Sequence, residues 1–223
     1  MAMNYRSKKY ALLNTPIEVD RHLGRVQHFL QPAPTDQLLE IGCGRGFLTR
    51  RVQALAPLTR GIDLNPEAIA NGTTEHLEVM DAEHLAFADE SFDKIYSFHA
   101  IEHIPDLGAA FREIDRVLRP GGSALLVYPA EPIRGLYVVP TAMILFGNPW
   151  RAREIHIHKL TPRRLRPYLV GTALQMGRSR LDLFITPQFM TLLTKGEPAP
   201  VRPSRRANAS STRRRRRALA GTV

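Results

Sequence analysis

The stretch LLEIGCGRGFLTRRV, residues 38–52, decides how this chain folds. A short apolar run ends at Ile41, glycines follow at 42, 44 and 46, and a helical pattern begins immediately after them. A strand that passes through glycines into a helix presents bare backbone N–H groups at the helix start, where a ligand can approach closely. The dinucleotide fingerprint GxGxxG would place its third glycine at position 47. That position is Phe47, and the third glycine comes one residue early. The loop therefore argues against a nicotinamide dehydrogenase while still calling for a ligand.

Outward from this loop, strands and helices alternate. Residues 17–30 carry a helical pattern, Gln37–Ile41 reads as a strand, and Gly46–Ala56 as a helix. Thr59–Leu64 is a second strand, and Pro66 opens a short helix to Asn71. Leu77–Asp81 and Phe92–Phe98 are further strands. Apolar residues at 107, 110, 111, 114, 117 and 118 have the spacing of an amphipathic helix, stopped by Arg119-Pro-Gly-Gly before a buried strand, Ser123–Tyr128. This rhythm predicts an α/β fold of right-handed βαβ units with a parallel sheet covered on both faces. Beyond Pro129 it breaks. Glu131–Ile157 is apolar and interrupted by Pro140 and Pro149, which suits an inserted cap. A helix over Thr161–Leu169 follows, and then two antiparallel strands, Arg180–Ile185 and Phe189–Lys195, around the turn TPQ.

Acidic residues fall at the carboxyl edge of the predicted sheet, where open α/β sheets bind ligands. Asp63 closes the second strand in GIDLN and can accept both hydroxyls of a ribose; Asp81 closes the third in MDAEHL. In this order the segments LLEIGCGRGFLTRRV, GIDLNPEAI, MDAEHLAFADESFDKIYSFHAIEHIPD and EIDRVLRPGGSALLVYP resemble the class I S-adenosylmethionine-dependent methyltransferases. The likeness covers roughly residues 36–128 and points to the small-molecule branch with the ubiquinone and menaquinone methyltransferases (methyltransferase type 11). It implies a Rossmann-like seven-stranded sheet, mostly parallel with an antiparallel last strand, and S-adenosylmethionine as cofactor. It also implies roles for single residues. Glu40, Gly42, Cys43, Gly44 and Gly46 would form the loop beside the methionine, Asp63 would hold the ribose, and Leu64 would pack near the adenine. Asp81 and Ala82 would meet the adenine amino group, with Phe98 and His99 near the methionine end. The resulting division is an N-terminal helical lid (1–35, with Tyr5 and Tyr10), a methyltransferase domain (36–197, with the cap at about 131–158) and a disordered Arg-rich tail (198–223).

Methyl transfer is an in-line displacement, so much of its catalysis is positioning, and a base is needed only when the nucleophile must lose a proton. His99 and His103, in FHAIEHIPD, are the candidate catalytic residues. Together with Glu102 they converge if the segment turns helically. Relatives with ExxEH here hold a divalent metal; this chain has HxxEH, and no metal is expected, His99, Glu102 and His103 being the set that would take one. His156 and His158 alternate in REIHIHKL and are expected to be partly buried, making backbone bonds. No Asn-Pro-Pro-Tyr motif of amino-directed DNA methyltransferases follows the fourth strand, and the only cysteine, Cys43, lies in the glycine loop, which excludes a cytosine-C5 mechanism.

The net charge of +10 looks like a nucleic-acid signature until it is located: eight arginines lie in residues 201–223, leaving +2 for the rest. That tail could meet nucleic acid or an anionic membrane surface, or simply be solvated. The single cysteine and the lack of a secretory or 18-residue apolar run lead us to expect a cytoplasmic protein, peripheral to the membrane at most. The apolar stretch 133–150 suggests a small lipophilic acceptor and equally suits core or a homodimer contact. Two other readings stay open: an RNA or protein methyltransferase recruited through the basic tail, and a non-catalytic cofactor-binding partner subunit.

Overall fold

The computed structural model describes residues 18–130, 143, 147–148, 150, 156–183 and 187–196; Tyr5, Tyr10, most of the insertion after Ala130 and the Arg-rich tail lie outside these. Strand β1 (Leu38–Ile41) pairs in parallel with β2 (Thr59–Asp63) on one side and β4 (Phe92–Phe98) on the other. β3 (Leu77–Val79) extends the sheet beyond β2, and β5 (Leu118–Pro129) extends it beyond β4. β7 (Gln188–Lys195) lies antiparallel between β5 and β6 (Leu174–Asp182), giving the seven-stranded order β3-β2-β1-β4-β5-β7-β6. This is the mixed α/β sheet that the alternation of elements predicts.

Successive strand side chains point to opposite faces, and the core divides accordingly. Leu39, Ile41, Leu126 and Tyr128 face α4 (Leu107–Val117), which buries Leu107, Ala110, Phe111, Ile114 and Val117. Leu38, Leu125 and Val127 face α1 (Val19–Leu30) and α2 (Phe47–Gln53), meeting Val26, Leu30, Leu48 and Val52. The helix starts follow from their caps. The Asp106 carboxylate accepts from the Ala109 N–H at the start of α4, and Asn65 caps α3 (Pro66–Ala70), whose first residue is proline. Arg21 and Arg25 of α1 both donate to Asp182, at 2.9 and 2.6 Å, tying the N-terminal helix to the C-terminal hairpin.

Several boundaries differ from the sequence expectation. β5 starts at Leu118 rather than Ser123, because Arg119–Gly122 forms an irregularity between the Phe92–Leu118 and Lys94–Ser123 pairs. β6 starts at Leu174 and ends at Asp182, not Arg180–Ile185; it is an edge strand with exposed polar residues and a register shift at Met176/Ser179, so it lacks an apolar alternation. β3 stops at Val79, short of Asp81. The helix expected over Thr161–Leu169 is one turn, α5 (Pro162–Leu165), continued as a 3-10 turn, Arg166–Leu169. Arg166 keeps helical angles (φ −51°, ψ −42°), but Pro167 cannot donate to the helical ladder. Among the described residues, no helix is long and apolar enough to cross a membrane.

Glu40 breaks the apolar pattern of β1. It faces the α1/α2 layer fully buried, accepting from the Thr49 hydroxyl at 2.5 Å and the Tyr96 hydroxyl at 3.3 Å. Burial pushes its pKa up to about 8, against an ordinary 4.5, although both hydroxyls oppose the shift. Between those values the folded protein holds a proton that the unfolded chain has lost, so stability falls as pH rises through this window. The one-proton slope is about 1.4 kcal/mol per pH unit. Glu40→Gln should abolish this slope, its gain over the wild type growing from pH 5 to pH 8 in urea unfolding; parallel stability curves would refute the assignment.

Candidate active site

The strand order reverses direction at β1: β2 and β3 lie to one side, β4 and β5 to the other. The loops leaving β1 and β4 therefore diverge, and a crevice opens at the carboxyl ends of the strands. A cavity of about 220 Å³ occupies it, lined by Ile41, Gly42, Ile62, Asp63, Leu64, Met80, Asp81, Ala82, Glu83, Ala100, His103, Ile104 and Pro105.

Gly42 explains why this loop needs a glycine. Its φ is +77°, and an added Cβ would come 2.1 Å from the Cβ of Ala100, so the loop after β1 and the segment after β4 touch backbone to side chain. The Gly42 and Cys43 N–H groups both donate to the Ile62 carbonyl. Gly46, at φ +72°, turns the chain into α2. Asp63 locks the loop: one carboxylate oxygen accepts from the Gly44 N–H and the other from the Asn65 N–H, each at 2.8 Å. Burial raises the Asp63 pKa, and the two backbone donors oppose that rise. Each oxygen keeps a lone pair on the cavity wall, so Asp63 can both brace the loop and accept from a ligand hydroxyl. Across the cavity, the Asp81 carboxylate accepts from the Glu83 N–H at 2.9 Å, and Glu83 accepts from the Asp106 N–H at 2.8 Å, joining the segment after β3 to the start of α4.

Among the residues predicted from sequence, Gly42, Asp63, Leu64, Asp81, Ala82 and His103 come together on the cavity wall. Glu40, Cys43, Gly44, Gly46, Phe98 and His99 are not on it. Glu40 and Cys43 are buried beneath the loop, where burial, reinforced by Glu40 and Asp63, drives the thiol pKa well up. Phe98 stacks on His22 of α1, ring centres 4.3 Å apart.

His99, Glu102 and His103 do converge, through a 3-10 turn (Ile101–His103). Glu102 is 1% exposed, with His99 Nδ1 at 3.7 Å and His103 Nε2 at 3.9 Å from Oε1, and neither carboxylate oxygen has a hydrogen-bond donor among the described residues. Burial would raise its pKa, but the His99 ring N–H turned toward it, and then electrostatic attraction to His103 and His156, outweigh it and hold the carboxylate down at about 2. His156, read from sequence as a backbone-bonded residue, packs its ring 5.0 Å from that of His103. Glu102, His103 and His156 are close enough to share a cation, and this set differs from the His99, Glu102, His103 trio that sequence spacing offers. His158 does make backbone bonds, to the carbonyls of Glu102 through its N–H and of Ile104 through Nε2.

His99 has φ +54°, an uncommon conformation for a residue with a side chain. Its Nε2 meets the Gln188 amide of β7, which lies against Arg25. A guanidinium has only donors, so the amide oxygen faces Arg25, at 2.8 and 3.1 Å, and the amide nitrogen donates to His99 Nε2 at 3.0 Å. Sequence reading missed Arg25, Gln188, Met80 and Ile104. Met80 was detectable as the apolar neighbour of Asp81, whereas Arg25 and Gln188 belong to no local motif.

The comparisons agree with this geometry. A family model for the methyltransferase domain matches residues 39–126. The ubiquinone biosynthesis O-methyltransferase of Sinorhizobium medicae is 27% identical over 181 residues, 76% of this chain and 71% of that protein. Among solved structures, a SAM-dependent methyltransferase from Methanosarcina mazei superposes with a TM-score of 0.61 at 21% identity, covering 78% of this chain and 98% of that one. Geranyl diphosphate C-methyltransferase from Streptomyces coelicolor, solved with S-adenosyl-L-homocysteine, gives 0.61 at 15% identity, covering 79% and 76%. The sheet order, the glycine loop braced by an acid at the end of β2, and these matches give the chain the class I S-adenosylmethionine-dependent methyltransferase fold, with the methyltransferase domain matched over residues 39–126.

Proposed function

We propose that this enzyme methylates a hydroxyl of a small lipophilic acceptor, with the donor seated in the cavity between the ends of β1, β2 and β3. The observation that carries the donor seat is Asp63, a carboxylate on the cavity wall with acceptor capacity left on both oxygens. Gly42 adds a stretch of cavity wall whose close packing on Ala100 leaves no room for a side chain. The bound donor supplies a methyl carbon activated by its sulfonium. The chain's residues do the rest: Asp63 holds the ribose hydroxyls, Leu64 and Ala82 flank the base, and the Asp81 segment meets its polar edge.

For the acceptor, His103 is the imidazole on the cavity wall, and ionised Glu102 lies 3.9 Å behind its Nε2. A hydroxyl that must lose its proton can give it to His103, and the buried carboxylate stabilises the imidazolium that forms. The relatives support hydroxyl and apolar chemistry: one is named for O-methylation in ubiquinone biosynthesis, and another acts on geranyl diphosphate. The apolar composition of the stretch 133–150, most of it outside the described residues, is in keeping with a lipophilic acceptor.

Asp63→Ala should weaken S-adenosylhomocysteine binding about 10- to 100-fold in calorimetry, the value of one or two charge-assisted hydrogen bonds. Unchanged affinity would remove the ribose assignment. Gly42→Ala, strained in φ and overlapping Ala100, should lose about 1–3 kcal/mol of stability in urea unfolding, together with donor binding. With labelled S-adenosylmethionine and a panel of apolar phenols, His103→Ala should lower kcat by about 10²- to 10⁴-fold while leaving donor affinity intact. Label passing only to RNA or protein would overturn the small-acceptor reading.

A further inference from the structure

We infer that Gln188, oriented by Arg25, is a positioning residue that fixes His99 as its Nδ1–H tautomer, aimed at Glu102. The inference follows from the direction of donation along four side chains. Arg25 is held against Asp182 at 2.6 Å and offers only N–H groups to Gln188. The Gln188 oxygen must accept them, so its nitrogen must donate, and the atom it meets is His99 Nε2 at 3.0 Å. An imidazole nitrogen that accepts a hydrogen bond carries no proton. His99 is therefore neither an imidazolium nor the Nε2–H form, because both would press N–H against N–H. The remaining proton lies on Nδ1, 3.7 Å from Glu102 Oε1.

The middle of this relay is buried, Gln188 being 0% exposed and Arg25 7%, and so is Glu102, at 1%; the His99 and Asp182 side chains at its ends are 24% and 20% exposed. Backbone restraint adds to it, since the His99 N–H donates to the Val127 carbonyl at 2.8 Å and holds the residue in its left-handed conformation. A cation on the N-terminal helix thus sets a proton's position beside a buried carboxylate, through an amide on the last strand of the sheet. With Nε2 filled and Nδ1–H turned toward Glu102, His99 supports Glu102 and has no lone pair for an acceptor's proton. That role passes to His103 on the cavity wall.

The bearing on the acceptor rests on the methyl-transfer reading, but the tautomer does not, and its measurement needs neither donor nor acceptor. In full-length protein labelled with ¹⁵N, long-range imidazole correlations at neutral pH should show His99 Nε2 as unprotonated and Nδ1 as protonated. This is the opposite of the form that neutral histidine favours in water. Gln188→Glu keeps the size and the Arg25 pairing but cannot donate, so His99 Nε2 should become protonated. Gln188→Leu should release the constraint and give a mixture of forms. An imidazolium or Nε2–H signature in the wild type overturns the proposal even if neither variant folds. So does a wild-type signature that persists in both variants.

Discussion

Everything in this molecule is arranged around the double pairing of one four-residue strand. Leu38–Ile41 hydrogen-bonds to β2 on one side and β4 on the other, and the helices that follow β1 and β4 cover opposite faces of the sheet. The space over that strand end is what the glycine loop, Asp63 and the segment after β4 enclose. Gly42 and Ala100 meet across it at a distance that leaves no room for a methyl group. Without this pairing there would be two half-sheets and no crevice between them.

Two fully buried glutamates near that crevice show how neighbours decide charge. Glu40 is surrounded by hydroxyls, which help an anion too little to repay its desolvation, and its pKa rises to about 8. Glu102 is equally enclosed but lies among imidazoles, and its pKa falls to about 2. The same side chain is thus neutral beneath the glycine loop and ionised beside the cavity at neutral pH. A burial argument alone would have assigned both the same state.

The features legible in the sequence were those with local causes. The glycine spacing, the acids closing β2 and MDAEHL, and the apolar face of α4 each arise within a few residues. The alternation of elements then fixed the fold class through general rules of chain connection. The bounds of edge strand β6 escaped because its exposed Gly177–Leu181 segment has no buried face to impose a period. Glu40 is read as shaping the loop beside the methionine, yet it points to the opposite layer from the cavity because side chains alternate along β1. The approach of His156 to Glu102 and His103, and the alignment of Arg25, Gln188 and His99, join residues far apart in the chain. No local pattern encodes such meetings; only the sheet order brings them about.

The chain leaves the sheet at Ala130, whose N–H donates to the Pro187 carbonyl, and returns at His158, bonded twice to the turn after β4. Both posts are fastened to the scaffold independently of whatever joins them. The anchoring of both posts therefore does not depend on the length or sequence of the stretch between them, and a foreign loop could be grafted between the same two posts.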